Sequence, residues 1–202
     1  MTGHPERATN PARIGQVIVL NGAPCSGKST TARALQAQAL AEGRTWLHVP
    51  LDIFDAMLPT GQVPIGDVLT LMHDTNKVIS TLAIGSHVVL EVVARENNPA
   101  ASTALLGVLN AVRAHDVLVA YLYCSRETAL AREAQRPPRL RGLAERDHGR
   151  VDATAHDVAI DAELTSPSRA ANAILAALDG AARGGRDALV KRLRYEARRF
   201  EG

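Results

Sequence analysis

Eight consecutive residues, Gly22-Ala23-Pro24-Cys25-Ser26-Gly27-Lys28-Ser29, constrain this chain more than anything else in it. They satisfy the pattern G-x-x-x-x-G-K-[ST] in full. The two glycines allow a tight turn in which successive backbone N–H groups point inward at an anion. A helix opening directly after the loop adds its positive N-terminus to the same spot. The flanks supply the context such a loop requires. Residues 16–20 (QVIVL) form a short, continuous apolar run, as expected of a strand buried on both faces. Residues 30–42 then carry Ala32, Leu35, Ala39 and Leu40 at helical spacing before Gly43 stops them. A strand, a phosphate-cradling loop and a helix follow in that order. In this arrangement Lys28 reaches the β- and γ-phosphates of a nucleoside triphosphate and the Ser29 hydroxyl reaches Mg²⁺. Ala23, Pro24, Cys25, Ser26 and Thr30 complete the cradle. The electropositive loop could activate the Cys25 thiol, but a small side chain filling a tight turn accounts for it as well.

The rest of the chain keeps the same alternation. Strands are predicted at 46–51, 87–93, 117–124 and 157–161. Helices are predicted at 52–58, 68–84, 99–114, 126–135 and 168–178, with a further basic helix at 188–200. Strands alternating with helices specify an α/β fold in three layers, a parallel sheet with helices on both faces. With 202 residues, 46% hydrophobic and only 3% aromatic, a single domain must build its core from Val, Ile, Leu and Ala. Residues 1–14 read as a flexible leader, 15–180 as the domain, and 181–202 as a basic helical extension beyond the glycines at 180–185.

Charge and cysteines exclude several classes. A net charge of +2 is not the footprint of a nucleic-acid binder. The N-terminal stretch lacks the apolar core of a signal peptide, and no apolar run approaches a membrane span. Two distant cysteines, Cys25 and Cys124, define no disulfide framework. The cytoplasm is the expected location, and a homo-oligomer is left open.

Three acidic and basic features lie beyond the loop. Asp52 follows the second strand, at the carboxyl edge of the sheet where α/β proteins bind ligands. It can act there as general base toward an attacking hydroxyl, or as the N-cap of the short helix it opens. Glu91 is the sole charge in the third strand. It can hold Mg²⁺ or orient a nucleophile, or be an exposed charge at a strand end. Arg132, Arg136, Arg139, Arg141 and Arg146 crowd a segment broken by Pro137, Pro138 and Gly142. A solvated basic helix is the bland account. Its place after the last long strand favours a lid, residues 132–149, closing over the triphosphate.

Taken together, these residues resemble the chloramphenicol phosphotransferase family of P-loop kinases. The resemblance is carried by Leu20-Asn21-Gly22 ahead of the loop, by Asp52 with Asp55-Ala56-Met57-Leu58-Pro59, and by the strands ending at Glu91 and Cys124. It is strongest at Arg132-Glu133, Arg136, Arg139, Gly142 and Ala144, and continues through His156-Asp157, Asp161 and Ser166-Pro167. It implies an ATP- and Mg²⁺-dependent O-phosphotransferase with Asp52 as base, acting on a hydroxyl of a small molecule. Where the family carries two aspartates after the third strand, this chain has Glu91 and Val92. Residues 59–74, expected near the acceptor, do not follow the drug-modifying enzyme. A kinase of a sugar, nucleotide-sugar or other metabolite is the nearest alternative reading. A regulatory module that only binds nucleotide is a third, disfavoured because passive binding needs neither a base nor a charge clamp.

Overall fold

The computed structural model describes residues 15–55, 57–59, 62–95, 99–111, 116–136, 142–151, 153–180 and 184–198. The leader and Arg139, with the rest of 137–141, lie outside them. Five strands, β1 (Val17–Asn21), β2 (Trp46–Pro50), β3 (His87–Val92), β4 (Val117–Tyr123) and β5 (Val158–Asp161), form one sheet in the order β2-β3-β1-β4-β5. Every pairing is parallel.

The central strands are apolar throughout because both their faces are covered. Side-chain alternation sends Val17 and Val19 of β1 into one core layer and Ile18 and Leu20 into the other. β4 divides in the same way, Val117 and Val119 against Leu118, Ala120 and Leu122. The second layer is closed by α1 (Lys28–Ala41) and α7 (Pro167–Asp179), whose alanines let the two helices approach each other. The first is closed by α3 (Ile65–Gly85), α4 (Pro99–Ala111) and α8 (Gly185–Arg198), with Ile79, Leu109 and Leu189 fully buried. Trp46 plugs the β2 edge and stacks on the His87 ring, centroids 4.8 Å apart.

Boundaries differ from the sequence reading where loop chemistry intrudes. α1 starts at Lys28, inside the phosphate loop, because the loop's last residues form the first helical turn. α3 starts at Ile65 behind Pro64, taking in Gly66, which alone reads as a loop signal. The first helix after β2 is short, α2 (Asp52–Asp55). Within the arginine segment, α5 (Arg126–Ala134) is followed by a five-residue helix, α6 (Leu143–Asp147). The basic helix α8 is also a core element. Leu189, Val190 and Leu193 pack inward, while Lys191 and Arg194 stay exposed. Asp157 ties its start down: one carboxylate oxygen accepts the Gly184 and Gly185 N–H groups at 2.9 and 2.7 Å, the other accepts Val119 N–H at 2.8 Å.

Candidate active site

The phosphate loop leaves β1 at Asn21, whose buried Oδ1 accepts the Ala94 N–H at 3.0 Å and so links the ends of β1 and β3. Gly22 is required next, because a Cβ there would stand 2.2 Å from the Leu122 carbonyl oxygen of β4. Cys25 turns the loop in the left-handed region, φ 64°, alone among the described non-glycine residues. Gly27, at φ 95°, opens α1. Such turns aim consecutive N–H groups into one concavity. Lys28 folds back over it, its Nζ donating to the Gly22 and Ala23 carbonyls at 2.8 Å each. Burial pushes the Lys28 ammonium down to about 8, against the pull of Glu91.

Glu91 belongs to this centre. Strand β3 lies beside β1, which sets Glu91 level with Leu20 and within reach of the first turn of α1. Ser29 Oγ donates to Glu91 Oε1 at 2.9 Å, and the His48 ring Nε2 lies 3.0 Å from Oε2. Burial opposes the charge on Glu91, yet the His48 and Ser29 bonds and the Lys28 charge hold its carboxyl below the usual range. The Ser29 hydroxyl and a charged Glu91 are hard oxygen donors side by side, a set that fits Mg²⁺ completed by phosphate oxygens and water. Among the described residues there is no group of three His, Cys, Asp or Glu that would cage a metal by itself.

The arginine segment is anchored by backbone carbonyls and by one buried acid. Arg132 donates to the Cys25 carbonyl at 3.1 Å and to the Ala162 carbonyl at 2.9 Å, strapping the loop to the segment after β5. Buried Glu133 accepts the Gly142 and Ala144 N–H groups at 2.9 and 2.6 Å, at the N-terminus of α6. Burial works against its charge, but those backbone donors hold its carboxyl below the ordinary value of 4.5. A depressed native value means the tether is at full strength above about 4.5 and is lost as pH falls through the native value. Glu133→Gln, which keeps one acceptor oxygen where two are used, is expected to lower the hydrogen-exchange protection of the Gly142 and Ala144 amides roughly 10- to 100-fold at pH 7. The difference should shrink as pH drops below about 4.5. Equal protection in both proteins at pH 7 would remove Glu133 as the lid anchor.

These elements enclose a cavity of about 800 Å³. Of the residues predicted for the site, Pro24, Cys25, Gly27, Lys28, Ser29, Thr30, Asp52, Glu91, Arg132 and Arg136 all line it. Ala23 and Ser26 instead face a smaller cavity of about 460 Å³ on the other side of the loop, beside Tyr121 and Tyr123. Gly22 lies beneath the loop, against β4. Asp52 is exposed at the start of α2. Several site residues escape sequence reasoning, among them His48, Arg95, Asp147 and Thr165. His48 does leave a trace, a polar residue inside the apolar run WLHVPL. Pairing Pro50 with Glu91 sets His48 diagonally from Glu91 on one face, and that register cannot be read locally.

Comparison with known proteins gives one matching family, described as chloramphenicol phosphotransferase-like protein, over residues 15–179. Comparison with curated protein sequences gives no match. Among solved structures, the chain is similar to the APS kinase of Mycobacterium tuberculosis in complex with AMPPNP and APS. The TM-score is 0.61 and the identity 16%, over 82% of this chain and 98% of that one. It is also similar to a gluconokinase from Sinorhizobium meliloti 1021, with TM-score 0.50 and 16% identity over 92% of this chain and 99% of that one. A tunicamycin resistance protein from Deinococcus radiodurans follows, with TM-score 0.54 and 14% identity over 84% and 99%. At these identities the likeness establishes the fold. No helix among the described residues is long and apolar enough to cross a membrane.

Proposed function

The chain belongs to the chloramphenicol phosphotransferase-like family of P-loop kinases, and from that premise we propose that it transfers the γ-phosphoryl group of ATP to a hydroxyl of a small molecule. The observation that carries this reading is one cavity whose wall holds Lys28, the Ser29–Glu91 pair, Asp52, Arg132 and Arg136 together. A module that only binds nucleotide has no use for an exposed carboxylate beside the phosphate end.

In this reading the loop N–H groups and Lys28 grip the β- and γ-phosphates, and the ammonium exchanges its two carbonyl partners for phosphate oxygens. Ser29 and Glu91 would hold Mg²⁺, which when bound neutralises part of the charge on those oxygens. His48 keeps Glu91 charged and fixes its orientation. Asp52 accepts the proton of the acceptor hydroxyl, whose oxygen attacks the γ-phosphorus as the bond to the β–γ bridging oxygen breaks and ADP departs. Arg132 and Arg136, with Arg139 in the same lid, offset charge on the transferring group. The domain division belongs to the same proposal: 15–180 as the kinase domain with its lid at 132–149, and 181–202 as a basic extension, of which α8 packs into the core.

The test is acceptor-dependent ADP release by the purified full chain, with ATP and Mg²⁺, across chloramphenicol and a panel of hydroxylated metabolites. ATP binding without transfer to any acceptor would reject the kinase reading.

A further inference from the structure

The cavity carries charge that the reaction just described leaves unused. Arg95 and Arg146 both line it, with Asp147 between them. Asp147 is almost wholly buried, and Arg146 takes it in a bidentate grip, Nε to Oδ1 at 2.8 Å and Nη2 to Oδ2 at 2.9 Å. Arg95 approaches the same carboxylate only to 3.5 Å, beyond a good hydrogen bond, with its side chain 31% exposed. Among the described residues two guanidinium groups therefore share one carboxylate, which Arg146 already occupies, so this trio carries a net positive charge. The Arg95 backbone is fixed by its bridge to Val151 and by the bond of neighbouring Ala94 to Asn21.

The place of this charge defines what it meets. In-line transfer sets the acceptor across the γ-phosphate from the departing ADP. Lys28, Ser29 and Glu91 mark the γ end, so ADP extends from there toward the segment after β5, where Ala162, Thr165 and Pro167 line the cavity on the other side of β1 from β3. Arg95 follows β3, just past Glu91, on the acceptor side. We propose that the acceptor is an anion, a hydroxylated small molecule whose carboxylate or phosphate is bound by the Arg95 guanidinium, beside the buried Asp147 carboxylate that Arg146 clamps. The planar fork of arginine suits either oxyanion. This deepens the phosphotransferase reading and rests on it. It also sets the acceptor apart from a neutral drug.

The experiment pairs each anionic candidate with a neutral counterpart: hydroxy acids against their amides, sugar phosphates against the free sugars. ADP release is read with the full chain, ATP and Mg²⁺. The anionic member is expected to lead in kcat/KM by roughly 100-fold, and hydroxy acids and sugar phosphates show which oxyanion is meant. Arg95→Met should erase most of that preference through the acceptor KM, with the KM for ATP unchanged, and Arg95→Lys should restore part of it. The unchanged KM for ATP separates loss of the anion contact from loss of fold. Neutral members used as well as anionic ones, or a preference that survives Arg95→Met, overturns the proposal while the kinase reading stands. ATP binding with no acceptor phosphorylated overturns both.

Discussion

Asp52→Asn is expected to leave ATP affinity intact and to slow phosphoryl transfer by roughly two to four decades, the usual worth of general-base catalysis. The amide keeps the size and most of the hydrogen-bonding capacity of the acid but cannot accept the hydroxyl proton. Asparagine is as good as aspartate at a helix N-cap, so a capping Asp52 would tolerate the change. Asp52 is the first residue of α2 and sits on the cavity wall. Its field also reaches the Lys28 ammonium, which ties it to the phosphate end. ATP binding by calorimetry and transfer by ADP release, on the same preparations, separate the two roles. Full activity in the variant would refute Asp52 as base and leave Glu91 or Asp55 as the next candidates.

Lys28→Ala should cost about 3 kcal/mol of transition-state stabilisation, or roughly two decades in turnover. Lys28 is 5% exposed and spans the loop mouth through two carbonyl bonds. Its charged form is resisted by burial, so removing it relieves desolvation while leaving those carbonyls unpaired. The two effects oppose each other in the folded state, and melting temperature should move far less than kcat. Near-normal turnover in Lys28→Ala would contradict the phosphate-loop assignment, and a large loss of stability with normal turnover would make the residue structural.

Much of the fold is legible in the chain because its signals are local. The run QVIVL, the glycine loop and the helix behind it each depend on neighbours within a few residues, and each stands in the structure as β1, the phosphate loop and α1. The arginine segment is legible only in part. Pro137, Pro138 and Gly142 announce a break, but α6 has five residues and no periodicity to reveal it. It is held instead by Glu133, a helical residue whose contact with Ala144 spans eleven positions. The tail at 181–202 reads as an appendage because its charges dominate its composition. Leu189 and Leu193 repeat at helical spacing beneath those charges, and only a sheet face waiting to be covered tells where they go.

By itself the sequence determined the class of chemistry: a phosphate cradle with its lysine and serine, and acids at the ends of two strands. What it could not determine is which of those groups meet. Ser29 and Glu91 are 62 residues apart and His48 and Glu91 are 43 apart, and they touch because β3 inserts between β1 and β2. Arg95 and Asp147 meet because the strand leaving β3 crosses to Val151. Strand order and register are chosen by burying both faces of the whole sheet at once, a condition on the entire chain that no local window contains.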